Sequence, residues 1–260
     1  MVRKNVLGLA LGVALVATAG QAQAHFGMVV PSTNVVTQES RNVEFNLSFS
    51  HPFEIIGMDL AKPEQFYVIS NERRQDLAPF LKSATVMEHQ AWQTLYRVTR
   101  PGVYHVVMEP TPYWEAAEDL SIVHYTKTII AAYGADSGWD EAVGLPTEII
   151  PLTRPFANYA GNSFSGQVLL GGRPVPGAEV EVEFYNQDGH LKAPSDYHVT
   201  QVVKADENGV FTFTCPRAGW WGFAALNEAD YTLPDPSGTP KPVELGAVLW
   251  IYMDDYEQER

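Results

Sequence analysis

Short runs in which apolar and polar residues alternate are the feature that most limits how this chain can fold. Residues 179–184 have the order Glu-Val-Glu-Val-Glu-Phe, and comparable runs rich in Val, Ile, Phe, Tyr and Thr recur between Pro, Gly and Asn breaks. A period of two puts alternate side chains on opposite faces of a strand, whereas an amphipathic helix needs a period near 3.6 residues. Few stretches have the helical period, so the sequence predicts an all-β protein.

The predicted strands share this alternation and end at turn-forming residues. In the first half they are residues 26–30, 43–50, 66–70, 92–98, 103–109 and 120–132. Short helical turns are expected over residues 75–82 and 112–119. In the second half the runs are residues 161–170, 179–184, 210–213, 219–225 and 246–252.

The chain divides into two predicted β-sandwich domains. Residues 134–144 are small and polar, and Pro146, Pro151 and Pro155 follow them, so we expect a boundary near residue 155. The N-terminal domain is then residues 25–155 and the C-terminal domain residues 156–260. The turns at residues 174–178 and 206–209, followed by a late aromatic strand, resemble the transthyretin-like or carboxypeptidase-regulatory type of sandwich, and that resemblance bears on fold alone.

The first 24 residues have the pattern of a secretory signal peptide. A basic start with Arg3 and Lys4 precedes an apolar run over residues 6–19, and Ala22-Gln23-Ala24 supplies the small-x-small pattern of a cleavage site. The apolar run is shorter than the roughly 20 residues that a spanning helix needs, so we expect export to the periplasm and no membrane span in the mature chain.

Cleavage after Ala24 would make His25 the first residue, whose free α-amine and imidazole can chelate one metal ion together. Cleavage after Ala22 would instead leave Gln23-Ala24-His25, a tripeptide that can wrap Ni(II) or Cu(II) in a square plane. Both patterns make His25 a candidate metal ligand. The alternative at this point is an incidental exposed terminal histidine.

Charge and cysteine content exclude several classes of partner. The chain has 17 Lys+Arg against 31 Asp+Glu, a formal charge of -14 that becomes -16 when Arg3 and Lys4 are removed. Such a surface repels nucleic-acid phosphates, and it favours a cation. The lone Cys215 excludes a disulfide or a thiolate cluster within one chain, and we expect it to be a buried apolar residue.

The sequence lacks the motifs of common enzymes: it contains no Gly-x-Ser-x-Gly, no phosphate-binding glycine-rich loop and no His-Glu-x-x-His. We therefore expect no enzymatic activity. Other chemistry-bearing residues are His51, at a strand end, with Glu54 after it, and His124, inside an apolar strand where a structural histidine is the alternative. Residues 110–119 add Glu115 and Glu118, and such paired carboxylates suit general acid–base catalysis, a hard-cation site or the acidic start of a helix. We expect His89, His105, His190 and His198 to be structural or surface residues.

Several motifs together resemble the periplasmic accessory component of bacterial nickel or cobalt uptake systems, which work with energy-coupling-factor transporters. Beside the export signal that ends before His25, the motifs are Ser50-His51-Pro52-Phe53-Glu54, Pro112-Tyr113-Trp114-Glu115, Ile122-Val123-His124-Tyr125-Thr126-Lys127, Glu148-Ile149-Ile150-Pro151-Leu152-Thr153-Arg154-Pro155 and Gly219-Trp220-Trp221-Gly222-Phe223-Ala224-Ala225-Leu226. The resemblance implies capture of Ni(II) or Co(II) as cargo and delivery to inner-membrane transporter subunits.

Under this hypothesis His25, His51 and His124 form one metal site. Glu54, Glu115 or Glu118 would complete the ligand shell or orient a ligand histidine. Imidazole donors suit borderline divalent ions, and they leave Cu(II) and Zn(II) open beside Ni(II) and Co(II). Two other functions stay open: a copper-dependent oxygenase with an N-terminal histidine brace, and a metal-free β-sandwich module for binding or adhesion.

Overall fold

The computed structural model describes residues 25–256, so the predicted signal peptide at residues 1–24 lies outside the described residues. The all-β prediction is confirmed. Two short 3-10 helices, Ala78–Phe80 and Asp196–His198, are the helical elements of the described range. The strands are β1 Phe26–Pro31, β2 Val35–Val36, β3 Asn42–His51, β4 Ile56–Met58, β5 Gln65–Ser70, β6 Arg73–Asp76, β7 Lys82–Val86, β8 His89–Arg97, β9 Gly102–Glu109, β10 Tyr113–Glu115, β11 Leu120–Ala132, β12 Thr147–Pro151, β13 Asn158–Tyr159, β14 Ser163–Leu170, β15 Arg173–Pro174, β16 Glu179–Phe184, β17 Gln201–Lys204, β18 Val210–Thr214, β19 Gly219–Glu228, β20 Leu233–Pro234, β21 Pro240–Lys241 and β22 Val243–Asp254.

The expected helical turn over residues 112–119 is wrong. Tyr113–Glu115 forms strand β10, which pairs antiparallel with the start of β11, and the chain reverses through residues 116–119. Aromatic residues suit a pleated surface, and pairing with β11 gives their backbone groups partners. Over residues 75–82 helical structure is limited to Ala78–Phe80 between strands β6 and β7.

A continuous sheet runs through both halves of the chain. Its main path has the strand order β17-β16-β19-β22-β11-β9-β5-β6. Its halves join where β11 and β22 pair in parallel, with His124 opposite Gly246. A second sheet, β1-β3-β8-β7, covers the first half, and β12-β14-β15 with β18 covers the second.

Two large apolar cores fill the space between these layers. The first includes Phe45, Phe66 and Val106, and the second includes Phe164, Phe211 and Phe223. The molecule is therefore of the β-sandwich type, with two cores beneath one shared sheet. The domain boundary near residue 155 and the transthyretin-like character of the second half stay predictions.

The alternation of residues 179–184 predicts acidic side chains directed to solvent, and this is only partly correct. Glu179 is exposed, but Glu183 is buried with 1% of its surface accessible. Segments from elsewhere in the chain cover it: the Phe53 N–H and the Thr200 hydroxyl donate to its carboxyl oxygens. Cys215 is buried as expected. Within residues 25–256 there is no helix with the length and apolar character needed to cross a membrane.

Candidate metal-binding site

Strand pairing brings His25 and His51 together. His25 directly precedes β1, and β1 pairs antiparallel with β3 so that Phe26 lies opposite Ser50. The next step of that register places His25 beside His51, the last residue of β3. Their ring centroids are 4.7 Å apart, with the ring planes at 51°. Two imidazoles separated by 26 positions in the sequence thus share one end of the second sheet.

A carboxylate and two aromatic rings surround His25. Its Nε2 lies 3.2 Å from Oε2 of Glu115, and both side chains are largely buried, with 10% and 15% of their surfaces exposed. The Phe49 ring stacks at 5.6 Å and the Tyr113 ring is tilted at 6.5 Å. Glu115 and Tyr113 belong to β10, so the hairpin that replaces the expected helix supplies one wall of the site.

His124 reaches the same region from β11 and is 2% exposed. Its Nε2 lies 3.1 Å from Oε1 of Glu244 on the neighbouring strand β22. Gly246 makes room for the ring, because a Cβ at that position would lie 2.6 Å from the His124 Nε2 atom. The Phe49 ring meets His124 edge-on at 5.8 Å, so one phenyl ring contacts both His25 and His124.

The electrostatics of the cluster keep His25 neutral. Burial, followed by the charges of His51 and His124, lowers the pKa of His25 from 6.5 to about 4 against the opposing charges of Glu115 and Glu244. A positive charge on His51 or His124 disfavours protonation of His25 because like charges repel. A neutral imidazole has the lone pair that metal coordination requires.

The other predicted carboxylates lie further out. Glu118 is exposed beyond β10, and partial burial, followed by the charges of Glu244 and Glu115, raises its pKa. Glu54 is exposed on the turn after β3, and its charge acts on Glu183. Of the three predicted carboxylates, Glu115 is the one that contacts a histidine of the cluster, His25.

Sequence reasoning missed Glu244 and the walls formed by Phe49 and Tyr113. The predicted closing strand began at residue 246, but β22 begins at Val243. Extending the alternation by two residues would have placed Glu244 on the same face as Gly246. The pairing of that face with His124 could not have been found this way, because it depends on the parallel register of β11 and β22.

The side chains do not form a finished metal site as they stand. Within residues 25–256, no group of three or more His, Cys, Asp or Glu side chains is arranged to hold a metal ion. A small cavity of about 40 Å³ lies beside the cluster, and His124, Phe49, Tyr113 and Gly27 are among its lining residues. This volume suits a water molecule.

The remaining histidines are not among the residues whose charges act on His25. His105 is buried, with its Nε2 2.7 Å from the Gly138 carbonyl oxygen. His89 is part-exposed and contacts Asp59, and His190 and His198 are exposed. These placements agree with the structural or surface roles expected for all four.

Comparison with known proteins identifies a family without a described activity. Residues 22–229 match the family model described as "Domain of unknown function (DUF4198)". No curated protein matches the sequence.

Solved structures give only remote likenesses. The D0-D1 domain of intimin has a TM-score of 0.23 and 11% identity, covering 88% of this chain and 100% of that one. A two-domain fibronectin type III segment of chicken tenascin has a TM-score of 0.22 and 9% identity, covering 87% and 99%. The Bacteroides ovatus mixed-linkage glucan protein SGBP-B has a TM-score of 0.20 and 9% identity, covering 86% and 45%. Likenesses this low carry no argument about function.

Proposed function

Since the chain belongs to the DUF4198 family, whose description assigns no function, we propose from its histidine cluster that it binds one divalent transition-metal ion. The proposed ligands are His25, His51 and His124, with Glu115 as a fourth donor or as a partner of a ligand histidine. The proposed cargo is Ni(II) or Co(II), taken up in the periplasm and delivered to an inner-membrane uptake transporter.

The observation that carries this proposal is the meeting of three histidines from distant parts of the chain. His25 and His51 have ring centroids 4.7 Å apart, and the charge of His124 acts on His25. Imidazole is a ligand suited to nickel, copper and zinc. The formal charge of -14 for the whole chain also raises the local concentration of cations.

Binding requires a local rearrangement at His25. Its Nε2 faces Glu115 at 3.2 Å, and its α-nitrogen belongs to the peptide bond with Ala24 until the chain is cleaved. In our proposal, cleavage after Ala24 frees the amine, and the imidazole exchanges Glu115 for the metal. The exchange explains why the uncleaved arrangement is not a finished site.

The same pair of residues supports one rival function. A terminal histidine that chelates through its amine and imidazole, with a second imidazole beside it, is the donor set of a copper histidine brace. His25 and His51 have the proximity that this set needs. Oxidation of polysaccharides by the Cu(II)-loaded protein with a reductant would favour this oxygenase function over metal transport.

Calorimetric titration of the processed protein tests metal binding. The chain is exported through its own leader, its N-terminus is verified by intact mass, and Ni(II), Co(II), Cu(II) and Zn(II) are titrated separately. A variant with one glycine inserted before His25 removes the terminal chelate. His51→Ala tests the second ligand, and exposed His198→Ala is its matched control.

We expect one ion per chain for the processed protein and the His198→Ala variant. The glycine-extended and His51→Ala proteins should bind at least about tenfold more weakly, the equivalent of 1.4 kcal/mol. Equal, weak binding in all four proteins would contradict the proposal and favour a metal-free binding or adhesion module. Delivery is tested separately by nickel and cobalt uptake in cells with and without the chain.

A further inference from the structure

We infer that Glu244 is a positioning residue for the metal site: it fixes the tautomer of His124 so that Nδ1, rather than Nε2, is the metal-binding atom. This inference rests on the proposed function and deepens it. It adds to the site a residue from β22, the last long strand of the chain, and assigns the donor atom of a ligand.

The tautomer follows from the hydrogen-bonding capacity of the two groups. The His124 Nε2 atom lies 3.1 Å from the Glu244 Oε1 atom. An ionised carboxylate only accepts hydrogen bonds, and a neutral imidazole has one N–H and one nitrogen lone pair. The contact therefore places the proton on Nε2, and the lone pair is on Nδ1.

The Nδ1 atom of His124 is buried and accepts no hydrogen bond from the described residues, 25–256. A buried polar atom that has lost water and gained no partner costs stability, so such an atom calls for an explanation. In our inference a metal ion bound at Nδ1 supplies that partner. His124 also lines the small cavity together with Phe49 and Tyr113, the two rings that contact His25.

His105 shows that burial alone does not make a ligand. Its Nδ1 also lacks a partner among the described residues, and its Nε2 also has an acceptor. Its neighbour, however, is the ammonium group of Lys127, whose charge helps to lower the pKa of His105 after burial itself. Lys127 is paired with Glu148, and the charges that act on His105 come from Lys127, Glu148 and Asp140 with no second imidazole among them, whereas His124 is close enough for its charge to act on His25.

The position of the ring is fixed on several sides. Gly246 lies under it, where any larger residue would overlap its atoms, and Phe49 meets it edge-on. Glu244 has 21% of its side chain exposed, so its bond to Nε2 is partly shielded from water. A carboxylate that holds the far nitrogen of a ligand histidine orients the ring and makes it a stronger donor.

Strand β19 offers a matched control for this role. Glu228 lies directly opposite Glu244 in the antiparallel pair of β19 and β22. The two side chains project from the same face, and neutralising either removes one negative charge from it. His124 contacts Glu244, so comparison of the two variants separates the hydrogen bond from the general electrostatic field.

The experiment compares Glu244→Ala, Glu244→Gln and Glu228→Gln with the processed wild-type protein. Long-range proton–nitrogen NMR on the metal-free proteins at pH 8 reports which nitrogen of His124 carries the proton. Calorimetry with Ni(II) and Co(II) gives the affinities, and circular dichroism and thermal melting show that each variant is folded.

We expect the Nε2–H tautomer in the wild type and in Glu228→Gln, and a shift toward the other tautomer in Glu244→Ala. Glu244→Ala should bind Ni(II) or Co(II) 10- to 100-fold more weakly, the range for loss of an outer-shell carboxylate. Glu228→Gln should stay within about threefold of the wild type. Glu244→Gln should recover part of the affinity, because its amide oxygen still accepts from Nε2.

Two results would overturn the inference alone: a proton on Nδ1 of His124 in the metal-free wild type, or equal affinities for Glu244→Ala and Glu228→Gln in proteins that bind metal. Failure of the wild type to bind any of the ions would instead overturn the proposed function, and this inference with it. The two failures are therefore distinguishable.

Discussion

At the level of single residues, burial keeps His25 and His105 neutral in the folded protein. Burial lowers the pKa of both His25 and His105 from 6.5 to about 4, and nearby positive groups add to the effect. A histidine held neutral in the folded chain takes up a proton more readily once the chain unfolds. Acid therefore favours unfolding through these residues.

His105 provides a test of this effect away from the proposed metal site. Between pH 6.5 and about pH 4 the unfolded state binds a proton that the folded state does not, so stability is full above pH 6.5 and falls as the pH drops. We expect the wild type to lose about 2 kcal/mol more than His105→Gln between pH 8 and pH 5. Urea denaturation at both pH values measures the difference.

The control for this prediction is the exposed His198→Gln, which should lose as much stability on acidification as the wild type. Glutamine is chosen at position 105 because its amide can donate to the Gly138 carbonyl oxygen as the histidine does. Parallel pH profiles for wild type and His105→Gln would contradict the prediction.

At the level of secondary-structure elements, the local sequence pattern predicts where a strand lies, and contacts with distant segments determine which of its side chains are buried. The alternation places β16 correctly, and the tertiary structure decides that one of its carboxyl groups is covered. Burial, with the charges of Glu181 and Glu54, raises the pKa of Glu183 to about 8 against the opposing hydrogen bonds from Thr200 and Phe53. Because Phe53 lies in the turn that follows His51, Glu183 also connects β16 to the edge of the proposed metal site.

Glu183 should make the protein less stable as the pH rises. From pH 4.5 to about pH 8 the folded state keeps a proton that the unfolded state has lost, so stability falls by at most about 1.4 kcal/mol per pH unit. Glu183→Gln, which has nearly the same shape and no charge, should gain stability relative to the wild type across this range. The difference is measured by urea denaturation at pH 5, 6.5 and 8.

A suitable comparison is Glu179→Gln, since Glu179 is on the same strand but exposed. Its stability relative to the wild type should change little with pH. A wild type and a Glu183→Gln variant that keep a constant difference from pH 5 to pH 8 would show that Glu183 is ionised in the folded protein.

At the scale of the whole molecule, the shared sheet and a buried ion pair join the two halves. Lys127 of β11 and Glu148 of β12 are 1% and 3% exposed, with Nζ 2.8 Å from Oε2. The Glu148 oxygens also accept from the N–H groups of Val143 and Gly144. The pair thus connects the shared sheet to the segment that leads into the second half.

Removing one partner of this pair should strongly lower the free energy of unfolding. Lys127→Met leaves the Glu148 carboxylate buried without its cation, which costs about 3–5 kcal/mol. The double variant Lys127→Met/Glu148→Gln should be less destabilised than the sum of the single variants, because the uncompensated charge is gone. Urea denaturation of the four proteins in a double-mutant cycle measures this coupling.

The exposed pair Lys204–Glu179 gives the comparison, and Lys204→Met should change stability little because solvent screens that pair. If Lys127→Met were as mild as Lys204→Met, the Lys127–Glu148 pair would not be a connection between the halves.

The strand pattern, the all-β class and the residue types that could hold a metal can be predicted from the amino-acid order, because they depend on local periodicity and side-chain chemistry. The long strand at residues 120–132 was predicted with its observed bounds. Three features follow from long-range packing instead: residues 113–115 form a strand, Glu183 is buried, and Glu244 contacts His124. Each of these depends on the register between strands distant in the chain. Local periodicity does not encode that register, since it is set by packing across the whole fold.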